Sequence, residues 1–104
     1  MPGDDWQGQE GRDGEAMDKS LMAFQLLPQV ENSRLHEVVK EALAVVAASG
    51  VPYEVGRMET TLEGDPDELW EIIRKAQEAC VKAGASRVMT YIKLDYCPPL
   101  IQIT

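Results

Sequence analysis

The chain has 104 residues, 44% of them hydrophobic and 27% charged, with a formal net charge of −8 at pH 7; that length holds one domain with a single two-layer core and no separate catalytic domain. Residues 1–18 carry six acids and one base, and the nine Lys and Arg left among twelve acids in the rest of the chain make no basic face of the kind a nucleic-acid reader needs. No apolar run approaches the roughly 20 residues of a membrane span and no basic segment leads into a hydrophobic one at the start, which predicts a cytoplasmic protein.

Residues 1–18, MPGDDWQGQEGRDGEAMD, are rich in Gly and acid and predict a solvated, flexible tail, with Trp6 the one side chain able to dock it. Ser20 to Leu27, SLMAFQLL, is short, apolar and closed by Pro28, as suits a central strand. Alternation puts Met22, Phe24 and Leu26 on one face and Leu21, Ala23, Gln25 and Leu27 on the other. Gln25 is out of place in such a run, because its amide must find hydrogen-bond partners.

Asn32 or Ser33 is expected to cap a helix over about Ser33 to Ser49, whose Leu35, Val38, Val39, Ala42, Leu43 and Val46 form one apolar stripe. Gly50 and Pro52 stop it. His36 lies off the stripe with no second ligand at metal spacing, so it reads as a surface histidine. Tyr53 to Gly56 and Met58 to Glu63 follow as two strands joined by a tight turn around Gly56 and Arg57. In the second, Met58, Thr60 and Leu62 alternate with Glu59, Thr61 and Glu63.

After Gly64, the run DPDE starts a helix with Asp65 as cap, Pro66 at the first helical position and Glu68 in the reciprocal capping place. Three acids there repel phosphate, so this helix start is no nucleotide cradle. Leu69, Ile72, Ile73, Ala76, Cys80 and Ala83 make its stripe, and Gly84 ends it. Ala85 to Asp95 alternates as a last strand, with Val88, Thr90, Ile92 and Leu94 against Met89, Tyr91, Lys93 and Asp95. Pro98 and Pro99 break it, and Leu100 to Thr104 forms an apolar ending expected to be covered or shared with a partner. Cys80 and Cys97 show neither a disulfide framework nor metal-ligand spacing, and Cys80 is expected to be packed.

Strand, helix, strand, strand, helix, strand is the α+β, ferredoxin-like plan: βαββαβ, a four-stranded antiparallel sheet with both helices on one face. The expected division is a tail over 1–18, a ligand-binding domain over 19–96 and a C-terminal extension over 97–104 that serves as an interface strand. The uncovered sheet face would carry Leu21, Ala23, Leu27 and Met89 beside Gln25, Glu59, Tyr91 and Lys93, too apolar for plain solvent. Self-association through the sheet is the default expectation.

FQLLP, SGVPYEVGRMETTLEG with DELWEIIRKAQEACVKAGASRV after it, and TYIKLD, in this order, resemble the thiamine-binding (YkoF-like) family of small bacterial and archaeal proteins across residues 20–96. The resemblance implies a ferredoxin-like fold, homo-oligomers, dimeric or tetrameric, assembled through the sheets, and binding of thiamine (vitamin B1) or its hydroxymethylpyrimidine moiety without catalysis, cofactor or metal. Thiamine joins an aminopyrimidine, which wants paired donors and acceptors, to a cationic thiazolium, which wants carboxylate or aromatic faces. On those grounds Gln25, Thr60 and Thr61 are candidates to read the pyrimidine edge, Tyr53 or Tyr91 to stack, and Glu59 or Asp95 to balance charge. Lys93 is expected to pair with a carboxylate. An enzyme is disfavoured because no catalytic constellation is present. A small-metabolite sensor or oligomerisation module acting through a partner protein is the alternative.

Overall fold

The computed structural model describes residues 19–98. The expectations for the acidic segment 1–18 and for the chain from residue 99 onward lie outside the described residues. Six elements follow one another: β1 (Ser20–Pro28), α1 (Asn32–Ala48), β2 (Tyr53–Val55), β3 (Thr60–Gly64), α2 (Pro66–Lys82) and β4 (Val88–Asp95). The sheet runs β2-β3-β1-β4 with every neighbouring pair antiparallel, which is the expected ferredoxin-like α+β plan. β1 is central: it pairs with β3 from Ser20 opposite Gly64 to Phe24 opposite Thr60, and with β4 from Leu21 opposite Asp95 to Pro28 opposite Val88.

The alternation in β1 decides which face the helices cover. Ser20, Met22 and Phe24 are buried while Leu21 and Ala23 are half-buried and Gln25 is exposed. Met22 and Phe24 pack with Leu62 of β3, Val46 of α1 and Leu69, Ile72 and Ile73 of α2. Small side chains at Ala42, Ala76, Cys80 and Ala85, together with Val38, form a second cluster where α1 meets α2. The apolar stripes of both helices thus turn inward on the same side of the sheet.

Gly84 closes α2 as the sequence predicts, and does so through a specific hydrogen-bond pattern. At φ +120° it takes a conformation that suits glycine, its N–H donates to the Val81 carbonyl, and the N–H of Ala85 donates to the Cys80 carbonyl, each at 3.0 Å. α2 starts as expected, with Asp65 at the cap position and Pro66 first in the helix, whereas the start of α1 differs. Glu31 occupies the cap position of α1 in place of Asn32 or Ser33, and neither Glu31 nor Asp65 makes a side-chain cap bond. For α1 the reason is tertiary: Gln29 donates to the Arg87 carbonyl at 2.8 Å and accepts from the Ser86 N–H at 3.1 Å, which ties the chain to the start of β4 just before the helix begins. β4 begins at Val88 and not at Ala85, although the bond from Gln29 to Arg87 carries the β1–β4 register one pair further.

The β2–β3 connection is also longer than a tight turn. Gly56 to Glu59 form a four-residue link, closed by the Gly56 N–H donating to the Glu59 carbonyl at 2.9 Å. A Cβ on Gly56 would lie 2.9 Å from that same oxygen, so the link requires glycine there. Met58 is 82% exposed in the link and does not join Thr60 and Leu62 on the inner face.

Cys80 is packed as expected, with no exposed surface, and burial pushes its thiol pKa up. The folded chain keeps a proton that the unfolded thiol releases above its ordinary pKa of about 8.5, so this group's stabilising contribution falls as pH rises past that value. Cys80 is expected to react with a thiol-alkylating reagent only at the rate of unfolding. Mass spectrometry of native protein labelled at residue 80 within minutes would contradict that packing.

Candidate functional site

Two surfaces collect the candidate residues. The first is the sheet face opposite the helices, where strand alternation and register set the neighbours. Leu27 faces Met89, Gln25 faces Tyr91, Ala23 lies between Thr61 and Lys93, and Leu21 lies between Glu63 and Asp95. Leu27, Met89 and Tyr91 are 43%, 55% and 57% exposed, an apolar patch beside the Gln25 amide. Among the described residues no chain covers it.

Charge on this face is paired across the central strand. Lys93 Nζ on β4 lies 3.1 Å from Glu59 Oε2, just before β3, and the small side chain of Ala23 lies on β1 between the two strands. The pair is largely exposed and contributes little to stability, about 1 kcal/mol at most. Its chemical effect is larger: the Glu59 carboxylate has a cation at hand before any ligand arrives. Asp95 stands four residues from Tyr91 along β4, roughly 13 Å at strand rise, so a single ring cannot touch both.

The second surface is a groove of about 170 Å³ on the helix side, at the end of the sheet where the β2–β3 link turns. Phe24 and Leu26 of β1, Val39 and Leu43 of α1, and Val55 give it apolar walls, and Gln25, Gly56, Glu59 and Thr60 complete the lining. Thr60 belongs to this side because it pairs with Phe24 and Val55, both inner-face residues. It is 7% exposed.

The seven candidates therefore divide. Gln25, Thr61, Tyr91 and Asp95 share the open face, and Glu59 joins them through Lys93. Thr60 lies on the helix side, in the groove, whose rim Gln25 and Glu59 also border. Tyr53 stands apart: it pairs with Leu62, which puts it on the helix side of the edge strand, away from Tyr91. His36 is exposed, as the sequence predicts. The groove walls supplied by Val39 and Leu43 went unmarked in the sequence because they belong to an ordinary helix stripe, and no local signal separates them from core.

A larger hollow of about 570 Å³ between α2 and the start of β4 offers less chemistry. Three of its polar side chains already have partners: Arg74 pairs with Glu71 and with Glu78, the latter at 2.5 Å, and Gln77 Nε2 donates to Thr90 Oγ1 at 2.6 Å. Arg74's hydrogen bond holds the Glu71 carboxyl below its usual range. Among the described residues no group of three His, Cys, Asp or Glu is placed to hold a metal ion, and no helix is long and apolar enough to cross a membrane.

Comparison with known proteins covers nearly all of this architecture. A family model described as thiamine-binding protein matches residues 22–99. The UPF0045 protein of Clostridium perfringens is 49% identical over 80 residues, 77% of this chain and 84% of that protein. Among solved structures, a Bacillus cereus domain of unknown function, DUF77, superposes with a TM-score of 0.74 at 46% identity over 86% of each chain. A Thermotoga maritima protein given a provisional role in thiamine biosynthesis or salvage superposes with a TM-score of 0.68 at 31% identity, over 75% of this chain and 83% of that one.

Proposed function

We propose that this chain, which belongs to the thiamine-binding protein family, binds thiamine or its hydroxymethylpyrimidine moiety in the cytoplasm, as a homo-oligomer and without transforming it. The observation that carries the reading is the extent of the family match: residues 22–99 include every described strand and helix apart from the first two residues of β1, and all seven candidate contact residues. The site chemistry supports it. On the open face the Gln25 amide and the Thr61 hydroxyl offer donors and acceptors for an aminopyrimidine edge beside the aromatic face of Tyr91, and on the helix side the Thr60 hydroxyl offers another. Self-association is supported by the Leu27, Met89 and Tyr91 patch, since exposed apolar area on a sheet face marks an interface. Residues 97–104 would add an interface strand beyond the domain, and residues 1–18 would remain a tail.

Isothermal titration of thiamine into the wild-type protein is expected to release heat with saturation, and chromatography of the mixture afterwards to return thiamine unchanged. Absence of heat with both thiamine and hydroxymethylpyrimidine would sink the binding reading, and a new product peak would sink its non-catalytic part.

A further inference from the structure

We infer that the free edge of β4, with the hollow beside its start, is a docking site for one extended segment of a different protein, which adds antiparallel to the four-stranded sheet and brings an acidic side chain to Lys82.

The two edges of the sheet differ. β2 is three residues long and begins directly after Pro52, which leaves little to pair with. β4 runs for eight residues without proline and in unbroken register with β1, an edge of roughly 26 Å at strand rise. Native proteins guard a long edge with proline, a bulge or an outward lysine. The one lysine of β4 is drawn the other way, since Lys93 reaches across β1 to Glu59 at 3.1 Å. The edge is left open to a strand.

The direction of the main-chain groups fixes what that edge offers. Along an antiparallel pair, hydrogen-bonded and non-hydrogen-bonded positions alternate. Gln29 donates to the Arg87 carbonyl at 2.8 Å, so Met89, Tyr91, Lys93 and Asp95 bond toward β1. Val88, Thr90, Ile92 and Leu94 then aim their N–H and C=O groups at the free edge. Pro28 agrees with this phase, because it stands opposite Val88, where β1 needs no N–H. Among the described residues no strand meets these groups.

Side chains set the character of the partner. Val88, Thr90, Ile92 and Leu94 turn toward the helices yet stay only half-buried. On α2, Trp70, Arg74, Gln77 and Val81 recur at helical spacing as one row, which the bond from Gln77 to Thr90 holds beside β4. Trp70 and Val81 in that row are exposed. An added strand sends every second side chain toward this row. An apolar one fits beside Val81 and Val88 in the hollow, and a carboxylate meets Lys82, which has no ion pair among the described residues. Arg74 is already held by Glu71 and Glu78. A second copy of this chain has the Leu27, Met89 and Tyr91 patch to pack against, which leaves the edge to another protein.

Fluorescence anisotropy tests this with two labelled peptides of alternating valine and serine, in which the last valine is replaced by aspartate in one and by lysine in the other. Antiparallel pairing brings that C-terminal position to the Val88 end of β4. The aspartate peptide is expected to bind the wild-type protein at least about tenfold more tightly than the lysine peptide, and Lys82→Glu to reverse the preference. Thr90→Pro, which removes one outward N–H and leaves the β1 ladder intact, is expected to weaken binding about tenfold. Thr90→Val loses the same hydroxyl but keeps the N–H, and is expected to bind as wild type does. Circular dichroism melting shows which variants fold, and the surface substitution Lys82→Glu keeps the test alive if the proline variant does not. The proposal is overturned if neither peptide binds wild type, if Thr90→Pro binds as well as Thr90→Val, or if Lys82→Glu leaves the preference unchanged. A fall in mass by light scattering when the peptide is added would show that a second copy holds the edge, and would overturn it too.

Discussion

Leu62→Ala is expected to lower the unfolding free energy by about 2–5 kcal/mol, the largest stability loss of any single side-chain truncation in β3. Leu62 has no exposed surface and sits opposite both Met22 and Tyr53, so it joins the central strand to the edge hairpin while packing under Val46 and Leu69. Truncation removes transfer free energy and leaves a hole that neighbours on two strands and two helices cannot all collapse into. A domain of this size has about 5–15 kcal/mol in total, so the variant should melt at a much lower temperature or fail to accumulate. A denaturant midpoint within error of wild type would mean that the core is not centred on this residue.

The second large effect concerns assembly. Met89→Glu combined with Tyr91→Glu is expected to weaken self-association by at least about a hundredfold, roughly 3 kcal/mol, and to reduce the mass seen by light scattering to that of a single chain. Both side chains point outward from β4 on the sheet face opposite the helices, where they lie opposite Leu27 and Gln25. Carboxylates there would be buried without partners in any sheet-to-sheet contact, yet remain solvated in a monomer. The fold should therefore persist, with an unchanged far-ultraviolet spectrum. An undiminished mass would exclude this face as the interface and leave the edges of the sheet to be tried.

Much of this was legible in the chain because period-two and period-3.6 patterns are read directly from residue type. The β1 and β4 alternations assign Gln25, Tyr91, Lys93 and Asp95 to one face from residue type alone, and the carboxylate expected beside Lys93 is that of Glu59, which only the fold brings near. The hairpin was less legible. Met58 and Glu59 continue the alternation of Thr60 to Glu63, so nothing local reveals that they belong to the link; its length is set by the Gly56 to Glu59 hydrogen bond. The face occupied by Tyr53 depends on that length, because one residue of register moves a side chain through the sheet. The groove was illegible for a different reason. Its walls come from β1, α1 and the β2–β3 link, and only the tertiary fold brings Val39 and Leu43 beside Thr60.

The position of β1 has a consequence for how the protein comes into being. The first described strand takes the middle of the sheet, and its longer pairing is with the last described one; a bond from the Cys97 N–H to Ser20 Oγ at 2.8 Å closes a separation of 77 residues. A nascent chain on the ribosome therefore carries one edge of SLMAFQLLP unpaired until β4 emerges. That segment contains no charged side chain, which makes it a prime template for misplaced strand pairing while it waits. Folding of this domain thus waits for β4, and chains that terminate before it should be lost to aggregation or proteolysis.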